Sequence, residues 1–272
     1  SAADRYIMNN EGLNERVLNL TVSPFQDAST SYFHHSIGGY HGAKMRRYQD
    51  LTETVLMQDI NSLIDGLRSQ NMDSVYRSLS GTNALNMLNT KYIIINPENQ
   101  PLINPFAMGN AWFVNEVRVV EDATDDIATL QAIHIRTACT MDRRYSDRLQ
   151  RTEYPPDSST SITLETYQPN MLVYKTSTSG EQFAVFSEIY YEDGWQVYVD
   201  GEKADHFRVN YTLRGMPVPA GEHEIVFRFH PRSYFAGTKI SMASSILLLL
   251  IFLGAIYYQW RKKEKEKTLI TV

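Results

Sequence analysis

Residues 240–260 have the sequence ISMASSILLLLIFLGAIYYQW and are followed at once by RKKEKEK. The stretch carries no charge, and as a helix it would span about 30 Å, the thickness of the hydrocarbon core of a bilayer. Tyr257, Tyr258 and Trp260 lie at one end, where amphipathic rings favour the headgroup level. A buried core helix is the alternative, but such helices are usually shorter and lack a basic cluster. The pattern therefore predicts a transmembrane helix over 240–260.

The charges that flank this stretch predict its orientation. The tail, residues 261–272, holds five basic and two acidic residues. The flank before the stretch carries fewer basic residues, which are Arg228, Arg232 and Lys239. Because basic residues favour the cytoplasmic side, we expect a basic cytoplasmic tail and an extracytoplasmic segment over residues 1–239. The first expected partner is the lipid bilayer.

Composition narrows the class of protein. The net charge is −5, and since the tail contributes +3, residues 1–260 carry −8. An acidic outer segment argues against nucleic acid as a partner. Cys139 is the only cysteine, so an internal disulfide is impossible, whereas eukaryotic secreted domains of this size more often contain disulfides. These features favour a bacterial cell-envelope protein of the inner (cytoplasmic) membrane.

The first twenty residues, SAADRYIMNNEGLNERVLNL, contain no apolar signal region and do not begin with Met. Export of residues 1–239 would then depend on a preceding segment. We therefore expect the chain to be the C-terminal piece of a longer membrane protein, with upstream transmembrane helices as partners.

Residues 1–142 alternate between predicted helices and strands. Apolar residues at three- and four-residue steps predict a long helix over 45–67, with a break near 58–61. The other predicted helices cover 72–79, 83–88 and 125–132, and the predicted strands cover 15–22, 91–96, 111–120 and 138–141. This alternation predicts a small mixed α/β domain.

Residues 143–160 are polar, contain Pro155-Pro156 and are typical of a linker or edge segment. Seven short predicted strands separated by turn residues follow, and Asp200-Gly201 marks a tight hairpin. This spacing predicts an antiparallel β-sandwich over 161–235. The predicted fold class is therefore α+β, with a mixed α/β domain, a β-sandwich and one C-terminal transmembrane helix.

The segment between the first strand and the long helix holds the candidate ligand-contact loop. A glycine-rich turn before a helix can approach an anion or a glycan closely, and basic residues follow it. The candidate residues are His35, Gly38, Gly39, Tyr40, His41, Arg46 and Arg47. The histidines lack the spacing of a zinc site, and the glycines lack that of a phosphate-binding or dinucleotide-binding loop. We therefore expect neither a metal nor a cofactor.

Other candidate chemistry is weaker. Cys139 lies in a predicted strand, which favours a buried residue over a nucleophile. No G-x-S-x-G motif is present, so a hydrolase of that type is disfavoured. Tyr191 and Trp195 are candidates for stacking on sugars, although core packing explains most aromatic residues in this region equally well. No catalytic residue is assigned.

Several stretches together carry a family resemblance. They are RVLNL (16–20), DASTSYFHHSIGGYHGAKMRRYQDL (27–51), NALNMLNTKYIIIN (83–96), NPFAMGNAWFV (104–114) and FSEIYYEDGWQVYVDGEKADHFRVNYTLRGMPVPAGEHEIVFRFHP (186–231). With the apolar stretch that follows, the chain resembles the C-terminal extracytoplasmic region of the bacterial YfhO family of membrane proteins, in particular members from the Bacteroidetes.

The resemblance implies a parent protein with many membrane helices, similar to C-type glycosyltransferases that use lipid-linked sugars. The family has been linked to glycosylation of cell-surface polymers such as lipoteichoic acid, which Bacteroidetes lack, so the acceptor would differ. In that architecture the catalytic acid/base is expected on an early outer loop, outside this chain. The implied role is therefore accessory, with a lipid-linked sugar or surface glycan as the expected ligand.

Two other functions compete with this interpretation. One is a non-catalytic, membrane-anchored module that binds a glycan or a protein, and the other is a free-standing hydrolase or metal enzyme. The sequence identifies neither sugar donor nor acceptor.

Overall fold

The structure, a computed structural model, describes residues 1–40 and 42–270. Its α-helices are α1 (Ala2–Asn10), α2 (Arg46–Leu51), α3 (Met57–Arg68), α4 (Met72–Gly81), α5 (Asn83–Met87), α6 (Ala123–Ala132) and α7 (Arg232–Ile270). Its strands are β1 (Arg16–Asn19), β2 (His35–Ser36), β3 (Thr90–Ile94), β4 (Leu102–Ile103), β5 (Ala111–Val114), β6 (Glu116–Val120), β7 (Ala138–Asp142), β8 (Ser161–Gln168), β9 (Met171–Thr178), β10 (Gln182–Ile189), β11 (Trp195–Val199), β12 (Glu202–Ala204), β13 (Phe207–Val209), β14 (Leu213–Val218) and β15 (Gly221–Phe229). The predicted α+β class is confirmed.

The first sheet has four strands in the order β2-β1-β3-β4. β1 is parallel to both of its neighbours, and β4 is antiparallel to β3. The helix α1 was not predicted from the sequence, and it contributes Ala3 and Ile7 to a small core with Val17, Tyr92 and Ile94. This sheet fixes the start of the candidate loop, because β2 lies beside β1.

The helix that follows the loop is continuous from residue 46 to residue 68. Its middle turn, Thr52–Leu56, has π-helical hydrogen bonding between α2 and α3. The prediction of a break near 58–61 was wrong, because the irregularity is this wider turn and the helix continues through it. π-turns insert one extra residue and change the direction of the side chains that follow.

The second sheet has six strands in the order β5-β10-β14-β13-β7-β6. The sequence predicted one strand over 111–120, but the structure has two, which Asn115 separates. β5 and β6 form opposite edges of the sheet, yet only one residue joins them, so the sheet must curl until its edges meet there. Asn115 supports this corner, since its N–H donates to Thr137 O at 2.7 Å and its carbonyl accepts from Tyr154 N at 2.8 Å.

The third sheet has five strands in the order β12-β11-β15-β9-β8. The hairpin predicted at Asp200-Gly201 is confirmed, with Val199 paired to Glu202 and both turn residues at positive φ. This sheet faces the second one through aromatic contacts: Phe186 of β10 lies 4.9 Å from Tyr174 and 5.0 Å from Phe227, measured between ring centroids. The seven strands predicted over 161–235 are therefore present and contribute to two facing sheets.

The main core includes residues from both of the predicted outer domains. Val114 and Val117 come from the first, and Phe183, Val209 and Leu213 come from the second. The second sheet likewise combines strands from both sides of the predicted linker at 143–160. The proposed domain boundaries therefore do not divide the hydrophobic core.

The helix α7 belongs to a second compact unit, which comprises residues 192–195 and 229–270. Its segment 232–262 is long and apolar enough to cross a membrane. No residue in the most apolar 18-residue stretch of this segment is buried. Within this unit, the ring of His230 stacks on that of Phe235 at 3.9 Å near the start of the helix. Leu247, Leu250 and Phe252 are each more than half exposed, as expected for side chains that face lipid.

Candidate functional site

A cavity of about 350 Å³ lies beside the two glycines of the candidate loop. We call it the Gly38–Gly39 cavity. Its apolar wall includes Phe25, Ile37, Met45, Leu88 and Ile189, and its polar lining includes Arg16, Ser36, Lys44, Tyr48, Gln49 and Thr52. The cavity therefore lies between the loop, the first turns of the long helix and two segments from elsewhere in the chain.

Gly38 and Gly39 let the backbone approach Pro24 closely. The Gly39 N–H donates to Pro24 O at 2.7 Å, and a Cβ placed on Gly38 would lie 1.8 Å from that same oxygen. Gly39 has a φ of +117°, which residues with side chains rarely adopt. Both glycines are thus required by the local geometry of the cavity wall.

The polar groups that line the cavity also bond to the protein. The Tyr48 hydroxyl donates to Ile37 O, and burial raises the pKa of Tyr48 to about 12, so the phenol stays neutral. Lys44 Nζ donates to Phe25 O at 3.2 Å, and Arg16 Nη1 donates to Leu88 O at 2.7 Å. Because its cations already have partners and much of its wall is apolar, the cavity suits a neutral, amphipathic ligand.

The structure disperses the other residues predicted for the loop. His35 is exposed, and its ring lies edge-on to Tyr167 at 5.3 Å. Tyr40 is 70% exposed, and Arg46 is exposed at the start of α2. Arg47 does not line the cavity, since its guanidinium lies 4.8 Å from the centre of the Tyr211 ring. His41 lies outside the described residues.

Neighbouring His34 has a different environment from His35, as expected for adjacent residues in an extended segment. Its side chain is fully buried, and Nε2 lies 2.9 Å from Asp4 Oδ1. Nδ1 lies 3.8 Å from Glu11 Oε2. Across the described part of the chain, no group of three His, Cys, Asp or Glu residues is placed to hold a metal ion.

The two candidate stacking residues differ in exposure. Tyr191 is 43% exposed. Trp195 is half-buried, and its ring lies 5.3 Å from that of Phe229. Tyr191 is therefore the more exposed of the two.

Several lining residues were not predicted to be functional. Tyr48 was assigned to the apolar face of the long helix, and Arg16 to an ordinary strand. Ile189 comes from the end of β10, about 150 residues after Gly39 in the sequence. The apolar residues at three- and four-residue steps along the long helix were the only sequence signal for Tyr48, and no signal singled out Gln49.

Comparison with known families agrees with the resemblance seen in the sequence. The family model described as "Bacterial membrane protein YfhO" matches residues 152–241. This range begins before β8, contains the whole of the third sheet and ends in the apolar helix α7. No curated protein matches the chain. No solved structure matches it either.

Proposed function

We propose that this chain, whose residues 152–241 match the family model of the bacterial membrane protein YfhO, has an accessory role in glycosyl transfer. In this proposal the chain is the C-terminal outer portion of a multi-pass membrane protein that resembles C-type glycosyltransferases. It holds a lipid-linked sugar or a surface glycan, and the transfer chemistry occurs elsewhere in the parent protein. The membrane helix and the family match support the location in a membrane protein. The Gly38–Gly39 cavity supports the binding of a sugar or glycan.

The observation that carries the proposal is the composition of that cavity. Hydroxyl, amide and amine groups of Ser36, Gln49 and Lys44 lie beside an apolar wall in a space of about 350 Å³. Sugars combine hydroxyl groups with apolar ring faces, so they match such a lining. Side chains of these kinds hold and orient a ligand, and no Asp or Glu is among the described residues that line the cavity.

A substitution that fills the cavity without disturbing the core tests the proposal. Ala43 is exposed at the cavity rim, so Ala43→Trp is expected to occupy the space while leaving the fold intact. In the full-length parent protein, we expect this variant to reduce incorporation of labelled sugar into surface glycan at least tenfold. The matched control is Ala220→Trp, at an exposed turn outside the cavity. Wild-type incorporation by a correctly folded Ala43→Trp protein would contradict the proposal.

The alternative is a non-catalytic module that binds a glycan or a protein. The 43% exposure of Tyr191 favours it, because the exposed part of a tyrosine ring can stack on a sugar. This function predicts that glycan binding by the chain in detergent is lost in Tyr191→Ala and kept in Ala43→Trp. The reverse pattern supports the cavity.

A further inference from the structure

The helix α2 has a second polar face besides the one that lines the cavity. Arg47 and Asp50 of this helix contact Tyr211, which lies in the turn between β13 and β14. The Tyr211 hydroxyl donates to Asp50 Oδ2 at 3.1 Å, and the Arg47 guanidinium covers the Tyr211 ring at 4.8 Å. Asn210 and Tyr211 both have positive φ, which is uncommon for a bulky residue such as tyrosine. The turn is therefore held in a specific conformation against α2.

Strands β7 and β13 supply the other side of this region. Thr140 N–H donates to Asn210 Oδ1 at 3.0 Å, and the Thr140 hydroxyl donates to Asp126 Oδ1 at 2.5 Å. Arg208 Nη2 lies 3.3 Å from Asp142 Oδ2. These contacts link α6, two strands and the turn into one buried polar cluster.

Three donors in this cluster are buried and have no hydrogen-bond partner among the residues that the structure describes. They are Arg47 Nη1, Arg208 Nε and Asn210 Nδ2. Arg208 is 7% exposed and Asn210 is fully buried. A buried donor without an acceptor costs about 1–3 kcal/mol, and more when it is charged. Three such donors in one cluster indicate that an acceptor group completes it.

Two of the three unpaired donors belong to guanidinium groups, which favours an anion as the acceptor. Asp142 is shared between two guanidinium groups, at 2.8 Å from Arg144 and 3.3 Å from Arg208. Burial raises the pKa of Asp126 to about 6, although the Thr140 hydrogen bond and the charges of Arg208 and Arg47 lower it. Asp126 Oδ1 already accepts from the Thr140 hydroxyl, and Asp50 Oδ2 already accepts from the Tyr211 hydroxyl, so these carboxyl groups bind other donors.

We propose that Arg47, Arg208 and Asn210 bind a phosphate group. Guanidinium groups match the geometry of phosphate oxygens, and the amide adds a third donor from the turn. The source is either free inorganic phosphate or the phosphate of a lipid headgroup. This site uses different residues from the Gly38–Gly39 cavity, so it does not depend on the function proposed for that cavity.

The test uses the 272-residue chain in detergent and isothermal titration calorimetry at fixed ionic strength. The probes are inorganic phosphate and glycerol 1-phosphate, a soluble headgroup analogue, with sodium chloride as the reference salt. We expect Arg47→Gln to weaken phosphate binding at least tenfold. The control is Arg68→Gln, which removes an exposed arginine that pairs with Asp65 and should leave binding unchanged.

A second variant helps to distinguish loss of phosphate binding from misfolding of the Arg47→Gln protein. Asn210→Asp keeps the acceptor for Thr140 but replaces the amide donor with a negative charge, so we expect at least tenfold weaker binding. Tighter binding of glycerol 1-phosphate than of phosphate supports the headgroup as the source, and equal binding supports the free ion. No phosphate binding by folded wild-type protein, or unchanged binding by both variants, would overturn the site.

Discussion

The guanidinium of Arg16 donates through Nη1 to the carbonyl oxygen of Ser187 at 2.7 Å, across 171 residues of sequence. The same nitrogen donates to Leu88 O, and Nη2 lies 3.3 Å from Glu188 Oε1. Both charged side chains are nearly buried, with 13% and 12% of their surface exposed. One arginine therefore connects β1 of the first sheet and the C-terminal end of α5 to the end of β10 in the second sheet.

The first prediction concerns this connection. Arg16→Gln should lower the free energy of unfolding by about 2 kcal/mol, because hydrogen bonds to a charged group are lost and Glu188 keeps a buried charge. Urea unfolding followed by the fluorescence of buried Trp112 would measure the change. The control is Arg5→Gln at an exposed position of α1. Equal stability of the Arg16 and Arg5 variants would contradict a structural role for the connection.

The Arg16 connection also shows a kind of contact that the sequence could not predict. Local patterns identified all seven strands over 161–235, because each strand and turn is encoded by a few neighbouring residues. Which strands share a sheet depends on distant partners. Residues 111–120 have the alternation of one strand, yet the two parts pair with β10 and β7 at opposite edges. No local pattern specifies that change at Asn115.

The candidate site shows the same limit. The glycine pair was singled out because glycine allows backbone conformations that other residues rarely adopt, and in the structure both glycines line a cavity. Arg47 was grouped with it by proximity in sequence. A helix directs neighbouring side chains about 100° apart, so Arg47 contacts Tyr211 whereas Tyr48 lines the cavity.

The second prediction concerns Gly38. Gly38→Ala should lower the free energy of unfolding by about 3 kcal/mol, because its Cβ would collide with the backbone oxygen of Pro24 rather than with a movable side chain. Gly42→Ala in the same loop is the matched control, since nothing lies within 4 Å of the added carbon. Thermal unfolding of both variants would compare them. A Gly38 variant as stable as the Gly42 variant would show that the loop has another conformation.

The third prediction concerns the pH dependence that Asp59 confers. Its Oδ2 accepts from Ala84 N at 2.7 Å and from Leu85 N at 3.1 Å, at the start of α5. Burial raises the pKa of Asp59 to about 7, against the lowering effect of these two hydrogen bonds. In the unfolded chain the pKa is about 3.9.

Between pH 4 and pH 7 the folded protein therefore holds a proton that the unfolded chain has lost. The contribution of Asp59 to stability then falls as pH rises through this window, by at most about 4 kcal/mol. Asp59→Asn should remove this part of the pH dependence while keeping an acceptor for α5. Urea unfolding from pH 4 to pH 8 would test this, with exposed Asp65→Asn as the control. The same pH slope in wild type and Asp59→Asn would refute it.

The fourth prediction concerns the side of the membrane that each end of the chain faces. The basic residues after the span favour the cytoplasm, so residues 1–239 should be extracytoplasmic. Cys139 is buried and gives a low labelling background. In spheroplasts that express the parent protein, a membrane-impermeant maleimide should label Ser158→Cys, at an exposed position before β8, without permeabilisation. Thr268→Cys, in the tail, should react only after the membrane is opened.

Labelling of Thr268→Cys in intact spheroplasts, with Ser158→Cys protected, would reverse the proposed orientation and place the Gly38–Gly39 cavity in the cytoplasm.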